Sequence, residues 1–91
     1  MFNFNKKEIK IVGIVAGSSG ACIEEAARKK LDCFILGEIR LGQVRQAQDL
    51  KLNLIVAGHY ATETIGLKIL KNELESKFDI NTVFIDDPIQ I

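Results

Sequence analysis

Three apolar runs that each end at a glycine constrain the fold of this chain more than any other feature. The runs cover residues 9–16, 32–36 and 52–57, and the glycines are Gly17, Gly37 and Gly58. Each run is nearly continuous in hydrophobicity, which is typical of strands that are covered on both faces of a sheet. A fourth short run, residues 82–85, precedes Asp86-Asp87-Pro88, and proline ends it because proline cannot donate to a ladder.

Segments with helical periodicity separate these runs. They cover residues 21–30, about 42–50, and 62–78. We expect each helix to direct one apolar set inward: Cys22, Ile23, Ala26 and Ala27 in the first; Val44, Ala47 and Leu50 in the second; and Ile65, Leu67, Ile69, Leu70 and Leu74 in the third. The βαβαβαβ order predicts a parallel sheet with right-handed crossovers. We therefore predict a single three-layer α/β domain over residues 1–91, with a four-stranded, mainly parallel sheet and helices on both faces.

Charge and composition disfavour several classes of partner. Twelve basic residues balance twelve acidic ones, so no net field attracts nucleic acid or an anionic membrane surface. No stretch approaches the roughly 20 apolar residues that cross a bilayer, and the N-terminus lacks the apolar core of a signal peptide. Cys22 and Cys33 lack metal-ligand or disulfide spacing, so we expect packed thiols in a cytoplasmic protein.

The loops after the first three strands should meet at one edge of the sheet, where parallel α/β folds bind ligands. The third loop contains His59 and Glu63, which share a helix face about 6 Å apart at Cβ if both lie in the first turn. Imidazole and carboxylate together suit zinc, iron, manganese or nickel. The alternative is a histidine that satisfies the strand end, with the glutamate placed favourably at the helix N-terminus.

The first two loops carry weaker signals. Ser18, Ser19 and Gly20 lie between a strand and a helix, where backbone N–H groups can receive a small-molecule anion. An ordinary turn with a serine cap is the alternative, and the lysine of a phosphate-binding P-loop is absent. Glu38 follows the second strand, and from the residues alone it is most simply a solvated carboxylate.

Taken in order, the three loops resemble the C-terminal lobe of the Nif-three-like (NGG-interacting factor three) family. The segments that carry the resemblance are Gly17-Ser18-Ser19-Gly20-Ala21, Gly37-Glu38 and Ala57-Gly58-His59-Tyr60-Ala61-Thr62-Glu63. Its members are often described as GTP cyclohydrolase I type 2-like or dinuclear metal centre proteins. The resemblance implies a two-lobed α/β fold with a dinuclear metal site in the cleft, to which His59 and Glu63 contribute ligands. It further implies hydrolysis of a nucleotide-like or other small substrate, with Glu38 as an acid/base or supporting group.

Two departures from the family pattern weaken the expectation of catalysis. The N-terminal lobe, which normally supplies a His-His pair and an aspartate, is not present here, and the chain has a single histidine. Residues Leu41, Gly42 and Gln43 also stand where many relatives carry histidines. We therefore expect a metal-binding domain that is incomplete for catalysis alone and is completed by the missing N-terminal lobe or by another subunit of a homo-oligomer. The alternative is a non-catalytic interaction or oligomerisation domain with a vestigial cleft.

Overall fold

The computed structural model describes residues 1–88, and these form a small α/β unit. Its elements, in chain order, are β1 (Val12–Ser18), a 3-10 turn (Gly20–Cys22), α1 (Ile23–Arg28), β2 (Cys33–Glu38), α2 (Leu41–Asp49), β3 (Asn53–Val56) and α3 (His59–Lys77). Within residues 1–88, none of the helices combines the length and the apolar character needed to cross a membrane.

The sheet has the strand order β1-β2-β3, and both pairings are parallel. Ile35 of the central strand lies opposite Ile14 on one side and Ile55 on the other. The prediction of an α/β fold with a parallel sheet is therefore confirmed. The prediction of four strands is wrong for the residues that the structure describes, because residues 82–85 form no ladder and lie beside α3 instead.

The core lies between one face of the sheet and the helices α1 and α2. Its buried members are Ile23 and Ala26 of α1, Ala47 of α2, Phe34 and Leu36 of β2, Leu54 of β3, and Leu52, which precedes β3. Both helices connect neighbouring parallel strands in the same direction, so right-handed crossovers place them on the same face. Cys33 is buried and Cys22 half-buried, and both are free thiols, as expected.

The strand β1 is much more exposed than its continuous hydrophobicity indicates. Ile14 keeps 71% of its surface exposed, and Val12 and Val15 keep more than two fifths. The expectation that this strand is covered on both faces is therefore wrong within residues 1–88, because these residues supply too little to cover the side chains of β1. The strand also lies at an edge of the sheet and pairs only with β2. At the opposite edge, Phe2 forms an antiparallel bridge with Leu54, so the N-terminal segment protects β3.

Helix α3 departs furthest from the predicted burial. None of its residues is buried, and the expected inward set is largely exposed, with Ile65 at 60% and Ile69 at 59%. The helix extends beyond the sheet, which gives the described chain extents of 51 × 27 × 19 Å. The radius of gyration is 16.0 Å, against about 12 Å for a compact domain of this length. Helical periodicity identified an apolar face, but this chain does not cover it.

Residues 82–87, which we call the C-terminal arm, return along α3. Glu75 of α3 accepts hydrogen bonds from the hydroxyl and the backbone N–H of Thr82, and Lys71 donates to the same carboxylate. The bond from the Thr82 hydroxyl, together with the other two, lowers the pKa of Glu75 to about 2. At the other end, Tyr60 donates to the Asp86 carboxylate and accepts from the backbone N–H of Asp87. Side chains therefore hold both ends of the arm.

The entry to β1 depends on one carboxylate, and this gives a pH-dependent prediction. Asp32 accepts the backbone N–H groups of Ile11 and Lys10, at 2.8 and 2.9 Å, through the same oxygen. These bonds, that of Ile11 first, lower the pKa of Asp32. A lowered pKa stabilises the fold above the unfolded-state value of about 4 and loses that effect as the pH falls through the folded-state value.

We expect Asp32→Ala to lower the urea midpoint of unfolding at neutral pH. Asp32→Asn keeps one acceptor oxygen and should lose less stability. Its stability should also fall less steeply than that of wild type below about pH 4. Chemical denaturation between neutral and acidic pH measures both effects. Equal acid sensitivity of wild type and Asp32→Asn would contradict the assignment.

Candidate functional site

Three glycines at the strand ends allow the carboxyl edge of the sheet to close tightly. Gly17 and Gly58 have φ of +72° and +103°, which side-chain-bearing residues rarely adopt. A Cβ placed on Gly37 would lie 2.6 Å from the backbone oxygen and 2.9 Å from the backbone nitrogen of Gly17. The ends of β1 and β2 therefore approach each other more closely than a side chain permits.

The hydroxyl of Thr62 ties the start of α3 to these strand ends. It accepts the backbone N–H of Gly17 at 3.0 Å and donates to the carbonyl oxygen of Gly58 at 2.8 Å. Gly58 in turn donates its N–H to the carbonyl of Gly37 at 2.9 Å. One side chain thus fixes the first turn of α3 over the point where the three strands end.

This placement brings His59 between two carboxylates. Its Nδ1 lies 2.8 Å from Oε2 of Glu38, and its Nε2 lies 3.2 Å from Oε2 of Glu63. Glu38 comes from the end of β2, whereas His59 and Glu63 lie one turn apart on α3. His59 and Glu63 are therefore neighbours, as their spacing predicted. Glu38, which the residues alone indicated to be a solvated carboxylate, joins them.

The two carboxylates raise the pKa of His59. The hydrogen bond to Glu38 is the largest cause, partial burial opposes it, and the charge of Glu63 adds to it. The imidazole side chain keeps 28% of its surface exposed, and that of Glu63 keeps 56%. Solvent therefore reaches both side chains of this pair.

The geometry separates the roles of the three residues. Glu38 and Glu63 approach opposite nitrogens of one ring, so the three cannot all bind one ion directly. In keeping with this, residues 1–88 contain no cluster of three or more His, Cys, Asp or Glu side chains arranged to hold a metal. His59 Nε2 and the Glu63 carboxylate remain as a pair of adjacent donors.

The predicted anion loop lies beside this corner, but its side chains are partly used. Ser19 is buried, and its hydroxyl donates to the carbonyl of Ala16 at 2.6 Å. Ser18 is exposed at the end of β1, and Gly20 lies against the side chain of Gln43. Anion binding at Ser18, Ser19 and Gly20 stays a prediction, in which backbone N–H groups and the Ser18 hydroxyl are the available donors.

Sequence reasoning missed two residues that shape this edge, Thr62 and Gln43. Thr62 lies three residues after His59 in the motif that carried the resemblance, and a threonine at a helix start is a signal for a local hydrogen bond. The side chain of Gln43 accepts the backbone N–H of Arg40 at 3.0 Å and so caps the start of α2. Gln43, at a position where the resemblance led us to expect histidine, thus has a structural contact here.

Comparisons with known proteins agree with the resemblance. The family model described as Duf34/NIF3 (NGG1p interacting factor 3) matches residues 1–88. A GTP cyclohydrolase 1 type 2 homolog of Pyrococcus horikoshii is 48% identical over 87 residues, which cover 96% of this chain and 34% of the relative. A homolog of the same name from Treponema pallidum is 39% identical over 85 residues, which cover 93% of this chain and 30% of the relative.

Solved structures give the same result. The protein ybgI, described as of unknown function, superposes with a TM-score of 0.83 and 34% identity over 88% of this chain and 32% of that one. TTHA1606 of Thermus thermophilus superposes with a TM-score of 0.78 and 30% identity, over 92% of this chain and 37% of that one. This chain therefore spans about a third of the length of the relatives it matches.

Gly37→Ala tests the close approach of β1 and β2. We expect it to destabilise the fold by on the order of 1–3 kcal/mol, because the new methyl would meet the backbone of Gly17 and the hydroxyl of Thr62. Gly66→Ala is the matched control: it faces open space within α3 and should stabilise the chain by about 0.5–1 kcal/mol. Urea denaturation measures both. Equal stability of the two variants would contradict the packing described.

Glu38→Gln tests the electrostatics of the histidine. We expect the pKa of His59 in metal-free protein to fall, because the carboxylate that most favours the imidazolium is lost. Glu63→Gln is the control and should lower the pKa by less. The chain has one histidine, so its ring signals can be followed by NMR titration without assignment ambiguity. If Glu63→Gln lowered the pKa of His59 more than Glu38→Gln did, Glu63 rather than Glu38 would be the main stabiliser of the imidazolium.

Proposed function

The chain belongs to the Duf34/NIF3 family, and we propose that it binds a divalent transition metal through His59 and Glu63. The observation that carries the proposal is the convergence of Nε2 of His59 and the carboxylate of Glu63, 3.2 Å apart at a solvent-accessible edge of the sheet. Imidazole and carboxylate donors suit zinc, iron, manganese and nickel.

Glu38 supports this function without binding the metal. A metal-binding histidine commonly donates its second ring N–H to a carboxylate, which fixes the tautomer and orients the ring. Glu38 lies 2.8 Å from Nδ1 and can accept that proton, which leaves the lone pair of Nε2 directed to the side of Glu63. Its role is thus to position and polarise the ligand, rather than to act as acid or base on a substrate.

The metal site is a half-site in this chain. Catalytic zinc normally takes about three protein ligands, and residues 1–88 bring two donors together at this edge. The remaining donors of a mononuclear or dinuclear centre would come from an N-terminal lobe or from another subunit. The relatives are about three times as long as this chain, which supports a contribution from outside residues 1–91.

The family context extends the proposal to a reaction class. A bound divalent metal lowers the pKa of a bound water and so favours hydrolysis. The substrate class we propose is nucleotide-like or another small anionic molecule, since relatives are named GTP cyclohydrolase 1 type 2 homologs. The chain's own contribution beyond the metal would be to receive an anionic group at Ser18, Ser19 and Gly20.

A second candidate function is that of a non-catalytic interaction or oligomerisation domain. The observation that favours it is the uncovered apolar surface, for which Ile14 and the exposed residues of α3 are the main contributors. Exposed apolar patches of this kind mark association surfaces. In this case the glycine corner and its histidine would be retained as structure.

Metal analysis separates the two functions. We expect wild-type protein, reconstituted with zinc, iron, manganese or nickel and desalted, to retain more metal than His59→Ala/Glu63→Ala. Glu38→Gln should weaken binding about 10- to 100-fold, as loss of an outer carboxylate does in other metal sites. Glu24→Ala removes an exposed carboxylate from α1 and should have no effect. Elemental analysis and calorimetric titration give the readouts, and equal metal content in wild type and the double variant would refute the proposal.

A further inference from the structure

The edge of β1 is open over residues 12–15, and a register irregularity between Val15 and Ser18 interrupts it only at its carboxyl end. Among the described residues β1 pairs only with β2, whereas the opposite edge of the sheet is bridged by Phe2. Residues 11–18 contain no charged residue and no proline, although charge, proline and covering segments are the usual means of blocking an edge. This edge is therefore suited to accept another strand.

An apolar groove runs between the β1 edge and α1. It has a volume of about 230 Å³, its walls include Gly13, Val15, Cys22, Ala26, Leu31 and Phe34, and Glu25 and Lys29 lie at its rim. A strand added to β1 would direct alternate side chains into this groove. Backbone pairing combined with pockets for alternate side chains is the basis of strand addition between proteins.

The C-terminal arm has the properties of a strand without a sheet. No backbone hydrogen bond found within residues 1–88 involves residues 83–86, although residues 82–85 are β-branched or aromatic, as strands prefer. Thr82 and Phe84 face α3, where they contact Glu75 and Lys68. Val83 and Ile85 alternate with them and are 85% and 83% exposed.

We propose that the C-terminal arm of one copy of this chain adds as a strand to the β1 edge of a second copy. Val83 and Ile85 would occupy the groove between β1 and α1, while Phe84 stays on the face of α3. Each copy carries one open edge and one unpaired strand, so a two-fold exchange satisfies both copies and closes as a dimer. Within a single copy, the contacts of the arm described above are all with α3.

Charge favours an antiparallel orientation of the added strand. The start of β2 lies beside the start of β1, as shown by the bond from the Asp32 N–H to the Ile11 carbonyl. Residues 6–10, which lead into β1, contain Lys6, Lys7 and Lys10 against the single acid Glu8, and Lys7 and Lys10 lie near the Asp32 carboxylate. The arm ends in Asp86-Asp87, and antiparallel addition places these carboxylates at that basic end. Opposite charges across an interface fix orientation and register.

The solution mass of the protein tests the proposal. We expect sedimentation equilibrium to show a dimer for wild type, and Val83→Glu/Ile85→Glu to dissociate at least about tenfold more readily, because two carboxylates would enter an apolar groove. Both residues are exposed in the single copy, so the variant should keep its fold, which circular dichroism checks. Leu41→Glu, at a residue of α2 that is 74% exposed, is the control and should dimerise like wild type.

A competing peptide identifies the element exchanged. A synthetic peptide of residues 81–88 should convert the dimer to monomer, whereas the same peptide with glutamate at positions 83 and 85 should not. A monomer at millimolar concentration, or a dimer insensitive to the charged variant and to the peptide, would overturn the proposal. His59→Ala/Glu63→Ala in the presence of a chelator should dimerise like wild type, so the outcome is independent of metal binding.

Discussion

The hydroxyl of Thr62 is the contact on which the candidate site depends. It joins β1 to α3 by accepting from Gly17 and donating to Gly58, at the point where Gly17 and Gly37 lie too close for a side chain. Because the first turn of α3 is fixed there, His59 reaches across to Glu38 at the end of β2. A longer loop or a bulkier residue at Gly37 would separate the histidine from its carboxylate partner without altering either residue.

The sequence predicted those parts of the fold that follow from local pattern. Apolar runs ended by glycine identified all three strands, and an i, i+4 spacing placed His59 and Glu63 on one helix face. Glu38 was underestimated, since its partner lies 21 residues away and the contact depends on how neighbouring strands end in space. Thr62 was missed for the same reason: its bond to Gly17 spans 45 residues.

Burial could not be predicted in the same way. Hydrophobic continuity in β1 and helical periodicity in α3 show that both carry apolar faces, but not which molecule covers them. Ile14 and Ile65 are exposed here because residues 1–88 supply nothing that packs against them. The fourth predicted strand, residues 82–85, is another example. It has the composition of a strand, but residues 1–88 offer it no strand to pair with. Propensity identifies such a segment but not its neighbour.

The proposed metal half-site and the proposed strand exchange lie at different places and would need different partners. Strand exchange in the antiparallel sense brings Asp86 and Asp87 to the amino end of β1, whereas His59 and Glu63 lie at its carboxyl end, beside Gly17. Seven residues of strand separate these ends, a distance of roughly 20 Å. The arm of a second copy would therefore cover the open edge without delivering its carboxylates to the proposed metal half-site. The missing donors would have to come from a surface placed over the strand ends, which strand exchange leaves accessible.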